Sequence, residues 1–383
     1  MQEVVRQLSE QLVARGHEVT VATSRHKGRT AQLLNGVKIV DFTISGSSVT
    51  GITGESGAYR DFLLSANFDV VTNFAAQQWA TDIMLPILDQ VKGVKVFVPT
   101  GFSGLYDKSY HEYFELMPTW LAKYDMNVFL SNDYRDINFA RAHGVKNIRV
   151  IQNGASAEEF MACRPGEARL ALGIPLDHFL VLHVGSHTGQ KGHADAIQIY
   201  SSARLQKATL LIVGNSCDNG CAVICSLKAR LFNLLPQNLL ARKRLIVKEL
   251  TRQLTVAAYH DADLFLFPSN IECSPLVLFE CMAARTPFLS TDVGNSLEIA
   301  GWSSSGIIVP TTKDLHGSSM AELTGSIKIL EQLYHDVQAR RIMAENGFEA
   351  WHKRFTWEGI SQRYEELYAE LTQNTSFVLS SPK

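Results

Sequence analysis

The stretch Pro268-Ser269-Asn270-Ile271-Glu272-Cys273-Ser274-Pro275-Leu276-Val277-Leu278-Phe279-Glu280 decides the fold. Ahead of it stands the apolar run Leu264–Phe267, of the length of a buried strand. Behind it, Leu278, Cys281 and Met282 open a helical pattern. Strand, polar loop and helix in this order are part of a βαβ unit. In open α/β sheets, ligands bind outside the carboxyl ends of the strands, and the first amides of the next helix favour anions. Glu272 lies in the loop and Glu280 eight residues on, inside the helix. Amides at the helix start suit a diphosphate, and two carboxylates suit hydroxyls on either side of it. By spacing alone, a helix cap with one solvated glutamate is the plainer reading.

The same alternation extends outward. Strands are predicted at 19–22, 37–41, 69–72, 95–99, 127–130 and 149–151, then at 179–184, 209–213, 245–248, 264–267, 288–290 and 307–309. Amphipathic segments separate most of them, which predicts parallel sheets covered by helices on both faces. Twelve strands exceed one comfortable open sheet, so two doubly wound α/β domains are expected. The break falls near 153–165, where Gln152-Asn153-Gly154-Ala155-Ser156 is turn chemistry after a strand. Trp357, Ile360, Tyr364, Leu367 and Leu371 predict a last helix, followed by a polar, frayed tail after Gln373.

Composition sets the class. The 383 residues, at roughly 150 per domain, suit two domains. Hydrophobic residues at 46% and charged residues at 19% exclude a disordered chain. A net charge of -2 speaks against a dedicated nucleic-acid binder. No apolar run reaches the length of a membrane span. Six cysteines are too few for a disulfide scaffold, so a cytoplasmic location is expected. The chain opens directly on a helical pattern, Val4, Val5, Leu8 and Leu12, with no strand before it and no signal peptide.

The Glu272/Glu280 pair resembles the E-x7-E signature of retaining glycosyltransferases of family 4, which have the GT-B fold. The small residues Ala283 and Ala284 fit that signature, and so does the turn Val293-Gly294-Asn295-Ser296-Leu297-Glu298. Val150-Ile151-Gln152-Asn153-Gly154 is similar to the family's domain junction. The resemblance implies two Rossmann-like domains facing a cleft. Residues 1–155 would bind the acceptor and 156–356 the nucleotide-sugar, with helix 357–373 packing back on the first domain. Relatives begin with a strand and a glycine loop, so the first N-terminal strand is expected to be missing here. A longer reading frame adding about twenty residues is expected to supply it.

By the same resemblance, Glu272 would contact the transferred sugar and Glu280 the nucleotide ribose. Ser274, Pro275, Leu276 and Val277 would lie near the diphosphate and sugar, and Gly214 in a strand-end loop near the nucleotide. The stretch Val184-Gly185-Ser186-His187-Thr188-Gly189-Gln190-Lys191-Gly192 resembles the family's diphosphate loop. Lys191 matches its lysine, and Ser186 stands where relatives carry an arginine. Serine cannot reproduce a guanidinium fork, so His187 or nearby amides would have to compensate. Lys191 and Glu272 are the expected catalytic residues. The acceptor side is expected around Asn73, Gly101 and Phe102, with no catalytic histidine carried over. The aromatic run Tyr106, Tyr110, Tyr113, Phe114, Trp120 and Tyr124 reads either as sugar-stacking rings or as a packed helix face.

Three motifs are set aside. Asp261-Ala262-Asp263 borders a buried strand, which disfavours a metal role. His183, His187 and His193 are close in sequence, but His183 falls within a strand. Cys217, Cys221 and Cys225 share a helix face but lack the C-x2-C spacing of zinc sites; thiols or a disulfide are the alternatives. No metal or other cofactor is expected. Lys228, Arg230, Arg242, Lys243, Arg244 and Lys248 among leucines read as a solvated helix face or as a peripheral membrane contact. The expected function is transfer from a nucleotide-diphospho-sugar to a glycan or lipid-linked acceptor. The alternatives are a non-catalytic sugar-nucleotide-binding protein of this fold and a GT-B epimerase.

Overall fold

The computed structural model describes residues 2–163, 165–217 and 220–380. The chain divides into two compact units, Met1–Asn153 with Trp357–Lys383, and Gly154–Thr356.

The first unit opens with the helix Gln2–Ala14, which buries Val4, Leu8 and Leu12. Strand β1 (Thr20–Ser24) pairs in parallel with β2 (Val37–Phe42), whose start also takes Leu33–Leu34 antiparallel. A second, all-parallel sheet has the order β3 (Val70–Phe74), β4 (Val94–Val98), β5 (Met126–Phe129) and β6 (Ile148–Val150). Among the described residues, β1 and β3 are both edge strands of separate sheets. All of β1 is half-buried, and so is β3 apart from Asn73. Each of these two edges is left without a strand neighbour among the described residues. The terminal helix belongs to the same unit and runs Trp357–Ser380, past the expected end at 373. The tail read as polar also holds Phe377, Val378 and Leu379, which a helical pattern accommodates. The remainder of that tail, 381–383, lies outside the described residues.

The second unit is a six-stranded parallel sheet. Its strands are β7 (Phe179–Val184), β8 (Ala208–Val213), β9 (Lys243–Lys248), β10 (Leu264–Phe267), β11 (Phe288–Ser290) and β12 (Gly306–Ile308). Their order is β9-β8-β7-β10-β11-β12, so the direction of winding reverses between β7 and β10. Every residue of β8 and β10 is buried, as expected where helices cover both faces. Successive side chains alternate between two cores. Leu180, Leu182, Phe265 and Phe267 face one, together with Leu278, Met282 and Trp351. Val181, Leu210, Ile212 and Leu264 face the other, with Ile199, Tyr200, Phe232 and Leu330.

Besides the short Leu33–Leu34 strand, two hairpins were not predicted: Ile44–Ser47 with Gly51–Gly54, and Thr311–Lys313 with Ser319–Ala321. Their strands are short and carry no apolar alternation to read.

Candidate functional site

The winding reversal between β7 and β10 places two loops side by side at the carboxyl ends of adjacent strands, where open α/β sheets bind ligands. The loop after β7 runs through Gly185, Ser186 and Lys191 to Gly192. The loop after β10 runs from Pro268 to Pro275. Gly192 has φ +70°, and a Cβ there would stand 1.8 Å from the Pro268 carbonyl oxygen. Only glycine lets the backbones approach this closely. The Asn270 amide donates to the Gln190 carbonyl at 2.9 Å.

This lacing brings together the two expected catalytic side chains. Lys191 Nζ donates to Glu272 Oε1 at 2.6 Å, and Ser269 Oγ donates to the same oxygen at 3.0 Å. The pair is partly buried, with 28% of the lysine side chain and 13% of the glutamate exposed. On the far side, Gly294 takes φ +55°, and a Cβ there would stand 2.4 Å from the Cys273 carbonyl oxygen. The Asn295 amide donates to that oxygen at 2.9 Å. The Val293–Glu298 turn thus holds the Glu272 loop from behind.

Pro275 caps the helix Leu276–Ala283. The amides of Leu276 and Val277 lie in its first turn and have no acceptor within the helix. Ser274 is buried just ahead of them. Glu280 lies in the same helix, 6% exposed. Its Oε1 meets Arg252 Nη1 at 2.6 Å, and Arg252 also bonds Glu159 at 2.6 Å. Burial opposes the charge on Arg252, but Glu280 and Glu159 outweigh it and hold the guanidinium protonated. Arg252 belongs to none of the motifs that mark the site in the sequence. An arginine at the start of the helix Arg252–Asp261 is the one signal that could have marked it.

Gly214 follows β8, its amide bonded to the Lys248 carbonyl at 3.2 Å. Beside it, the His187 amide donates to the Asn215 carbonyl at 3.1 Å. Ser186 is half-buried, and its carbonyl accepts from the Thr188 amide at 2.7 Å.

The Asp261 and Asp263 carboxylates are used at the opposite, amino end of β10. Asp261 accepts from the amides of Gly166 and Arg169, the latter at 2.9 Å. Asp263 accepts from Arg169 at 2.9 Å and from the Leu180 amide at 2.8 Å. Both carboxylates tie the helix Glu167–Leu172 to the sheet.

In the first unit the expected acceptor-side residues are largely core. Asn73 is buried, its Oδ1 accepting from Tyr124 Oη at 2.9 Å. Phe102 is 1% exposed and packs edge-on against Phe114 and Phe139. Gly101 donates its amide to buried Asp136 at 2.8 Å. Of the aromatic run, Tyr113, Phe114 and Tyr124 are core, while Tyr106 is exposed beneath Arg135.

Comparison with known proteins agrees with this architecture. A family model described as glycosyl transferases group 1 matches residues 166–348, and one described as glycosyltransferase family 4 matches residues 1–159. The chain has the GT-B fold and is related, half by half, to these glycosyltransferase families. Its fold is similar to that of sucrose-phosphate synthase from Thermosynechococcus elongatus, at 19% identity and TM-score 0.76 over 97% of this chain and 93% of that one. It is also similar to Anabaena HepE, solved in complex with UDP and glucose, at 14% identity and TM-score 0.74 over 96% and 95%. A curated relative of this chain is the N-acetyl-alpha-D-glucosaminyl L-malate synthase of Bacillus anthracis. It is 23% identical over 232 residues, which is 60% of this chain and 55% of the relative. Another is the putative teichuronic acid biosynthesis glycosyltransferase TuaC of Bacillus subtilis, 25% identical over 49% of this chain and 44% of the relative. The chain thus spans about half the length of the curated relatives it matches.

Proposed function

We propose that the second unit binds a nucleotide-diphospho-sugar at the Lys191–Glu272 pair and that its sugar is transferred with retention to a glycan or lipid-linked acceptor held by the first unit. The observation that carries this is the 2.6 Å contact between Lys191 and Glu272 across the winding reversal. Lys191 exchanges its bond to Glu272 for the diphosphate when the donor enters. There it offsets the charge that develops on the leaving group. The freed Glu272 carboxylate accepts from sugar hydroxyls and supports positive character at the anomeric carbon. The first amides of the helix Leu276–Ala283 add an anion site beside it. Glu280, fixed by Arg252, is a rigid acceptor for the ribose hydroxyls. Catalysis is then mainly positioning and charge stabilisation, with no step assigned to a metal. HepE, a fold relative, was solved with UDP-glucose, which favours UDP-sugars as the first donors to try.

No helix among the described residues is long and apolar enough to cross a membrane. We place the protein in the cytoplasm and peripheral to the membrane, which suits a lipid-linked acceptor. The helix Cys221–Leu234 exposes Val223, Ile224, Leu227, Leu231 and Leu234 while burying Cys225, Ala229 and Phe232.

A thermal-shift screen of the full chain against UDP-, GDP- and ADP-sugars tests the donor site. One nucleotide class should raise the melting temperature by mass action, and Glu272→Ala should abolish transfer and weaken that shift. No shift with any of them would remove the donor reading. Binding without transfer or hydrolysis would instead favour the non-catalytic reading, which Ser186 in the arginine position supports.

A further inference from the structure

The histidine and cysteine clusters that the sequence keeps apart meet in the fold. His187 lies in the loop after β7, His193 begins the helix His193–Ser202, and Cys221 begins the helix Cys221–Leu234. One ligand atom from each lies within 4.8 Å of the other two. His187 and His193 are 1% and 2% exposed, and their rings stack with centroids 4.2 Å apart. His193 Nε2 meets the Gly185 carbonyl oxygen at 3.0 Å, so Nε2 carries the proton and Nδ1 a lone pair. That Nδ1 is buried without a hydrogen-bond partner. An unmet buried polar atom is unfavourable, and an ion would satisfy it. Cys221 Sγ lies 3.5 Å from His187 Nδ1. A nitrogen and a sulfur on one tetrahedral zinc stand roughly 3.5 Å apart, given bonds of about 2.0–2.1 and 2.3 Å.

We infer that His187, His193 and Cys221 form a site for a divalent transition-metal ion of the zinc class, with one coordination position open to water. Two nitrogens and one thiolate are a donor set for such an ion and not for magnesium or calcium. The bond from His193 Nε2–H to a backbone carbonyl is the outer support that metal-bound histidines have. On binding, Cys221 gives up its thiol proton to solvent and the sulfur binds as thiolate. His183 packs edge-on against His193, but its Nδ1 is committed to the Leu266 carbonyl at 2.8 Å. The site borders the donor loop through His187, four residues ahead of Lys191. An ion there ties the loop that carries Lys191 to the helix with the exposed apolar row.

The test uses the full chain, stripped with chelator and free of nucleotide. Zinc is titrated in competition with a chromophoric chelator, and cobalt is followed by absorption. The expected result is one tightly held equivalent of zinc and a cobalt–thiolate charge-transfer band. Cys221→Ser should abolish the band and weaken zinc at least tenfold, His193→Ala should do the same, and exposed His316→Ala should change neither. Cys221 is only half-buried, so its serine variant should keep the parent melting temperature and serves if the histidine variant fails to fold. A folded Cys221→Ser chain that binds zinc as tightly as the parent overturns the site, as does a parent that binds no zinc. Because no sugar nucleotide is present, these outcomes are independent of the donor screen.

Discussion

Lys191 and Glu272 stand eighty-one positions apart yet share a 2.6 Å bond, because two strand-end loops are drawn together at Gly192. Both were legible from motif resemblance; their contact was not, since it depends on which strands are neighbours. If Lys191 offsets charge on the departing diphosphate, Lys191→Met should lower kcat about 10²- to 10³-fold. Steady-state kinetics with the donor found by thermal shift would show it, and an unchanged kcat would take the residue out of the mechanism. Arg252 was invisible in the sequence because nothing in residue order says which cation meets Glu280. Asp136 was likewise unread. It is fully buried, and burial raises its pKa from 3.8 to about 6 despite bonds from the Gly101 and Ile137 amides. The sign follows from the raised value. Ionised Asp136 costs stability above pH 6, and the cost fades as pH falls through 6 and is gone below the ordinary value near 4. Over that window the change is on the order of 3 kcal/mol. Asp136→Asn cannot titrate, so its melting temperature relative to the parent should drift downward from pH 7.5 to pH 4.5. A pH-independent difference would show that Asp136 does not titrate in this range.

Most elements could be read in advance. The twelve predicted strands are all present, since short apolar runs bounded by turn residues have few other readings. Hairpins of polar and glycine residues escaped, because their stability comes from pairing and not from a buried face. The helix Cys221–Leu234 shows a different limit. Its basic residues among leucines allow two readings, and the outward face supports the membrane one. At about 100° per residue, Val223, Ile224, Leu227, Leu231 and Leu234 fall on one stripe about 100° wide, opposite buried Cys225, Ala229 and Phe232. Lys228 and Arg230 flank the stripe on either side. Leu239 and Leu240 extend the exposed apolar surface into the next short helix. An apolar stripe with basic borders suits an anionic bilayer surface. The protein should therefore co-sediment with vesicles containing anionic lipid, and less so with purely zwitterionic ones. Leu227→Glu with Leu231→Glu should reduce binding at least tenfold without lowering the melting temperature, as both side chains are more than half exposed. Equal binding by parent and variant would assign the face to something other than lipid.

At the scale of the whole chain, the second unit was more legible than the first because its sheet is continuous and its strands are buried on both faces. The first unit carries two separate sheets with half-buried edges at β1 and β3, and part of its stability comes from the far end of the sequence. The terminal helix packs against the helix Gln2–Ala14 and against β4. Tyr368 Oη shares a 2.9 Å hydrogen bond with Thr72 Oγ1, Glu365 bonds Arg15 and His17, and Glu370 bonds Arg149 at 2.8 Å. The ion pairs are exposed and contribute little. The apolar residues matter more: Trp357, Ile360, Tyr364 and Leu367 are each at most 2% exposed. Burying four such side chains is worth about 1.5–3 kcal/mol apiece, a sum comparable to the net stability of a whole domain. A chain ending at Thr356 should thus lose the first unit while keeping the second. Hydrogen exchange read by mass spectrometry would show β3 to β6 unprotected and β7 and β8 still protected, with the donor-induced thermal shift retained. Protection of β3 to β6 equal to that of the full chain would mean that the first unit holds without the helix.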